Sequence, residues 1–193
     1  MEKGLKVLLV ASESAPFVKS GGLGDVVGSL PKALQKKNVD VRVVIPRHRV
    51  IKNETMYGVE LLGEFDVYLQ WRKQRAKVLV KPGEVPVYFI ENDYYFSRGA
   101  LYGFDDDNER FAFFGKAVLD MLAFYPDVIH CNDWQTGPVC MYLKEMYNKV
   151  TEYSKIKTLF TIHNLQYQGR FSLDTIELLG VSDWAYANME FYN

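Results

Sequence analysis

Apolar and polar positions change period several times along the chain. Residues 5–11 (L-K-V-L-L-V-A) form a nearly continuous apolar run, as expected of a strand covered on both faces in a parallel sheet. From Gly22 the period becomes helical: Leu23, Val26, Val27, Leu30 and Leu34 lie on one stripe, predicting a helix to about Lys37 that Pro31 should kink or break. Residues 39–45 (V-D-V-R-V-V-I) alternate and run into Pro46, so a second strand closes a β-α-β unit. Residues 58–69, 74–81 and 85–90 read as further strands, the last two joined through the turn signal Pro82-Gly83, which suggests an antiparallel insertion.

Helical spacing returns at Phe111, Phe114, Ala117, Val118, Met121, Leu122 and Tyr125, with Asp106 and Glu109 placed as a capping box. A short strand at 127–131, a helix from about Trp134 to Tyr147 and a strand at 158–162 follow. Strands alternating with helices predict a Rossmann-like, doubly wound, mostly parallel α/β sheet. A chain of 193 residues can bury roughly 70% of its unfolded surface, so one domain over 1–193 is expected.

Composition narrows the partners. With 48% hydrophobic and 24% charged residues the chain is neither disordered nor fibrous. Its 23 basic and 24 acidic residues leave a net charge of −1, with no footprint for nucleic acid or an anionic membrane. The two cysteines, Cys131 and Cys140, match neither a redox pair nor a zinc pattern and read as buried reduced thiols. The short apolar run after Lys6 does not fit a secretory signal, and no segment reaches the ~18 apolar residues of a membrane helix, so a cytoplasmic protein is expected.

Ligands of open α/β sheets bind beyond the carboxyl ends of the strands. Three polar clusters occur there: K-S-G-G-L-G-D at 19–25, N-D-W-Q at 132–135, and His163-Asn164. The glycines open a helix, whose free amides and dipole favour an anion such as phosphate, with Lys19 adding charge; the competing reading is a tight turn. Neither an NAD fingerprint nor a Walker A loop fits, because Val27 stands where the third glycine belongs and the lysine precedes the glycines. His163 reads equally as a ligand-facing donor or a satisfied strand-end histidine. His130 reads as packed and backbone-bonded, and His48 as a surface residue. Asp133 reads as a base or sugar-hydroxyl acceptor, as the cap of the helix at Trp134, or as both. Trp134, Phe96 and Tyr167 are candidates to stack on a sugar, although most aromatics in a chain with 13 Tyr and 12 Phe must be core.

Together, K-S-G-G-L-G-D after a strand ending V-A-S-E, then H-C-N-D-W-Q-T, then T-I-H-N-L-Q-Y-Q-G closely resemble the bacterial glycogen synthase and plant starch synthase family. The resemblance runs from Leu5 to the end of the chain. It implies a GT-B fold of two Rossmann-like domains facing across a cleft, with this chain as the N-terminal, acceptor-side domain and the C-terminal nucleotide-sugar domain absent. The implied reaction moves glucose from ADP-glucose, or UDP-glucose in some members, to the 4-hydroxyl at the non-reducing end of an α-1,4-glucan such as glycogen. It proceeds with retention, without metal or other cofactor, through a front-face, ion-pair-like displacement.

The resemblance implies that Lys19 contacts the phosphates and that Gly21 and Gly22 allow close backbone approach. It further implies that His163 sits beside the transferred glucose with Asn164 next to it, that Asp133 and Trp134 serve the acceptor side, and that Phe96 stands where an aromatic lies near the cleft. The family's H-x-H-D-W reads His130-Cys131-Asn132-Asp133-Trp134 here, so Asn132 replaces its second histidine. The family's base pocket, its Arg/Lys pair and its E-P-x-G-L glutamate do not occur in this sequence. The chain is therefore expected to be a truncated and catalytically silent half. The alternatives are a non-catalytic α-glucan-binding module, which has no use for the phosphate loop, and an NAD-linked oxidoreductase, disfavoured by the failed fingerprint.

Overall fold

A computed structural model describes residues 4–122 and 125–181. Residues 190–193, at the end of the stretch that resembles the family, lie outside them. In chain order the elements are β1 (Lys6–Val10), α1 (Gly22–Gln35), β2 (Asp40–Pro46), β3 (Glu60–Leu69), β4 (Arg72–Lys81), β5 (Val87–Glu91), α2 (Asp93–Phe96), α3 (Asp107–Asp120), β6 (Val128–Asn132), α4 (Gly137–Tyr142), α5 (Thr151–Ser154), β7 (Lys157–Thr161) and α6 (Asp174–Leu179).

The strands form one sheet in the order β3-β4-β5-β2-β1-β6-β7. β5, β2, β1, β6 and β7 run parallel, while β3 and β4 form an antiparallel hairpin on the β5 edge, which is the expected insertion. The order of the parallel strands reverses at β1, so the crevice between the carboxyl ends of β1 and β6 is a topological switch point.

The continuous apolar run of β1 is explained by burial on both faces. Leu8 and Val10 join Val44, Phe111, Phe114 and Ile129 on the α3 side, whereas Leu9 and Ala11 join Val27, Val43 and Ile45 on the α1 side. β7 is different: Leu159 is 51% and Phe160 41% exposed, so the sheet is not covered along that strand.

Three local expectations are corrected. Helix α1 does not break at Pro31 but runs through it, with the proline buried. Asp106 caps nothing with its side chain; it is drawn instead into an ion pair with Arg98 at 2.7 Å, and Asp107 accepts the backbone N–H of Gly103 at 2.7 Å. The helix expected over 134–147 is three pieces, a 3₁₀ turn at Trp134–Thr136, α4, and a π turn at Leu143–Tyr147. Cys131 is buried and Cys140 half-buried, both as free thiols.

Candidate active site

The loop from β1 to α1 carries the first cluster. Gly21 is extended (φ −158°), and a Cβ at Gly21 or Gly22 would meet nothing within 4 Å. Neither the turn nor the packing requires glycine at these two positions, which disfavours the tight-turn reading and leaves open space over the backbone. Gly24 and Gly28 are the packing glycines, since a Cβ would come 2.5 Å from the Lys19 Cβ and 2.6 Å from the Ala15 carbonyl oxygen, respectively.

The loop is held by a residue that sequence reasoning passed over. Glu13, 1% exposed, accepts the Ser20 N–H at 2.6 Å, the Ser20 hydroxyl at 2.7 Å and the Gly24 N–H at 3.1 Å. It thereby satisfies one first-turn amide of α1, while no side chain caps the turn at Gly21. Its signal was an acidic residue just past a fully buried strand and before the glycines. Lys19 is exposed and rests on Asp25 at 2.8 Å. Such a surface pair is worth roughly 0–1 kcal/mol, so an anionic ligand can displace it.

The second and third clusters join at the ends of β6 and β7. Asn132 is fully buried; its Nδ2 donates to the Val10 carbonyl at 3.0 Å and the His130 carbonyl at 3.1 Å, tying the end of β6 to β1. Its Oδ1 faces His163 Nε2 at 2.9 Å. Asp133 has φ 58° and ψ 175°, a conformation nearly confined to glycine that costs about 1–3 kcal/mol and clusters at functional sites. Its carboxylate does not cap the following turn: Oδ1 accepts the backbone N–H of His163 at 2.7 Å. Asn164 accepts the Gln166 N–H at 2.9 Å within its own loop.

Two histidines differ from their sequence reading. His130 bonds through Nε2 to the Thr161 hydroxyl at 2.8 Å rather than to backbone, and burial, then the neighbouring His163, holds its pKa down. His48 is not a surface residue but fully buried, with Nε2 at 3.0 Å from the Ser12 carbonyl and its ring edge-on to Phe96 at 5.5 Å. It lies just past β2, so the rule that drew attention to the other strand ends applies to it as well.

The aromatic candidates separate. Phe96 does not face a cleft: it is fully buried among His48, Tyr95, Phe111, Phe113 and Phe114, because the short helix α2, capped by Asn92, turns Tyr95 and Phe96 inward and leaves Tyr94 exposed. Trp134 is half-buried, held edge-on to Phe111 at 5.2 Å and against Phe171 at 5.4 Å. Gly169 (φ 62°) lies so close beneath the indole that a Cβ would approach it to 2.5 Å. Tyr167 is 67% exposed. Among the described residues no group of three or more His, Cys, Asp or Glu side chains is placed to hold a metal ion, and no helix is long and apolar enough to cross a membrane.

A mostly parallel sheet, with a glycine-opened helix and a histidine at the carboxyl ends of its strands, defines a Rossmann-like domain. The chain belongs to the starch synthase catalytic domain family, whose model matches residues 6–193. It is 50% identical over 190 residues to the glycogen synthase of Clostridium botulinum (strain Eklund 17B / Type B), covering 95% of this chain and 40% of that protein. It is 45% identical over 195 residues to the glycogen synthase of Anoxybacillus flavithermus, covering 97% and 40%. Among solved structures, the catalytic domain of starch synthase IV from Arabidopsis thaliana, bound to ADP and acarbose, superimposes with a TM-score of 0.85 at 35% identity over 93% of this chain and 38% of that one. The chain thus spans about 40% of the length of the curated relatives it matches.

Proposed function

We propose that this chain is the acceptor-side, N-terminal half of a GT-B glycogen or starch synthase that moves glucose from ADP-glucose to the non-reducing 4-hydroxyl of an α-1,4-glucan, with retention. The observation that carries the proposal is the open glycine backbone at Gly21 and Gly22, where α1 begins, beside a switch-point crevice that also presents His163. The first-turn amides of α1 and Lys19 suit the diphosphate, His163 and Asn164 the transferred glucose, and Asp133, Trp134 and Tyr167 the acceptor. A retaining transfer must hold leaving diphosphate, anomeric carbon and acceptor hydroxyl together, and that positioning supplies much of the rate. One wall of a cleft does not enclose them, so the longer protein is the active species. The two free thiols accord with a cytoplasmic setting.

The test is glucan elongation from ADP-glucose and, separately, UDP-glucose, by the parent protein and by the 193-residue chain. The parent should elongate a maltooligosaccharide primer, and its Lys19→Ala variant should lose roughly 2–4 kcal/mol of transition-state stabilisation in kcat/KM, as for loss of one preorganised electrostatic donor. The 193-residue chain should be silent and bind maltooligosaccharides only in the millimolar range. Elongation by this chain alone, or a folded Lys19→Ala parent with normal kcat/KM, would sink the reading. A glucan-binding module would instead bind the oligosaccharide and ignore the nucleotide sugar.

A further inference from the structure

We propose that Asn132 is a positioning residue that sets the tautomer of His163, so that this histidine meets its ligand as a hydrogen-bond acceptor at Nδ1. The two acceptors of the Asn132 amide nitrogen are both backbone carbonyls, Val10 O at 3.0 Å and His130 O at 3.1 Å. Carbonyls only accept, so the NH₂ end of the amide must point to them and the oxygen end must point to His163. That oxygen lies 2.9 Å from His163 Nε2 and can only accept, which requires a proton on Nε2. A neutral imidazole carries one N–H, so Nδ1 keeps its lone pair. The arrangement is rigid: Asn132 is fully buried, and Asp133 Oδ1 fixes the backbone N–H of His163 at 2.7 Å.

The consequence, which rests on the transferase reading, is a division of labour. An acceptor nitrogen takes a hydrogen bond from a sugar hydroxyl and offers nothing to a phosphate oxygen, whereas the amides at the start of α1 donate and suit the diphosphate. His163 is therefore a reader of the sugar. A histidine at position 132 could present either a bare nitrogen or an N–H to its partner; the amide oxygen of Asn132, oriented by two carbonyls, has no such choice.

The test is long-range ¹H–¹⁵N correlation on the 193-residue chain, whose three histidines are separable by substitution. In the wild-type protein His163 should show a protonated Nε2 and a lone-pair Nδ1, with the Nε2 proton protected from solvent. Asn132→Leu should accelerate exchange of that proton about tenfold, as for loss of one hydrogen bond, and move the Nδ1 resonance towards a tautomer average. The His130 and His48 signals report that the fold is intact. In the parent protein, adding ADP-glucose should shift His163 Nδ1, and ADP alone should not. A proton on Nδ1 in the wild type, an unprotected Nε2, or a His163 spectrum unchanged by Asn132→Leu would overturn the assignment. So would an Nδ1 response of the parent protein to ADP equal to its response to ADP-glucose. If Asn132→Leu does not fold, the wild-type spectrum decides. The tautomer readout needs no turnover, so its failure leaves the transferase reading standing, and an inactive parent protein leaves the tautomer standing.

Discussion

His48 should make this fold acid-sensitive over a defined range. Its Nε2 donates to the Ser12 carbonyl at 3.0 Å, and its Nδ1 is buried without a hydrogen-bond partner. Protonation would place a second N–H where nothing accepts it. Burial, with smaller contributions from Arg110 and Arg47 and against the opposing effect of the Ser12 carbonyl, pushes the pKa from 6.5 down to about 4. The unfolded chain thus takes up this proton before the folded one does. The stability tied to a neutral His48 is complete above pH 6.5 and is lost as the pH falls from 6.5 towards 4. At 1.36 kcal/mol per pH unit that interval amounts to about 3 kcal/mol. Urea unfolding, followed by tryptophan fluorescence at several values between pH 7 and pH 4.5, measures it. His48→Gln keeps a donor for Ser12 but does not titrate. The stability gap between wild type and variant should therefore narrow by about 2–3 kcal/mol across that range, while other groups, including His130, cancel in the comparison. Parallel curves would refute the reasoning, because a histidine that gains its proton at the same pH in both states contributes no slope.

Other expectations concern the crevice and the core. Gly21→Ala should leave stability within about 0.5 kcal/mol, since its backbone is extended and the added Cβ meets nothing, yet weaken ADP-glucose binding to the parent protein in calorimetry. Gly169→Ala combines a positive φ of 62° with a Cβ 2.5 Å from the Trp134 indole and should cost roughly 1–3 kcal/mol in thermal unfolding, with altered tryptophan emission. Arg110, fully buried, pairs with Asp107 and donates to the Tyr95 carbonyl at 2.7 Å. Arg110→Leu should therefore destabilise by about 3–5 kcal/mol in urea, and adding Asp107→Asn should recover part of that by removing the stranded charge.

Periodicity alone determined the alternation of strands and helices, the antiparallel insertion, and which strand ends carry polar clusters. It could do so because burial on both faces of β1 and β2, and on one stripe of α1, writes itself into short stretches of chain. The order of the three motifs likewise identified the family from residues close together in sequence. What tertiary structure decided were the partners. Nothing near Asn132 reveals that its amide spans to Val10 and to His163, and nothing near His48 announces the Ser12 carbonyl that makes its burial tolerable. Phe96 looked like a cleft aromatic and lies in the core because α2 is so short that one turn sends Tyr94 outward and Tyr95 and Phe96 in. Of the roles the sequence left open for Asp133, the cap is not taken up: its carboxylate holds the His163 backbone, since the chain passes through φ 58° at that residue. A polar group can be buried only where its hydrogen bonds are met, and at these sites the groups that meet them come from distant parts of the chain.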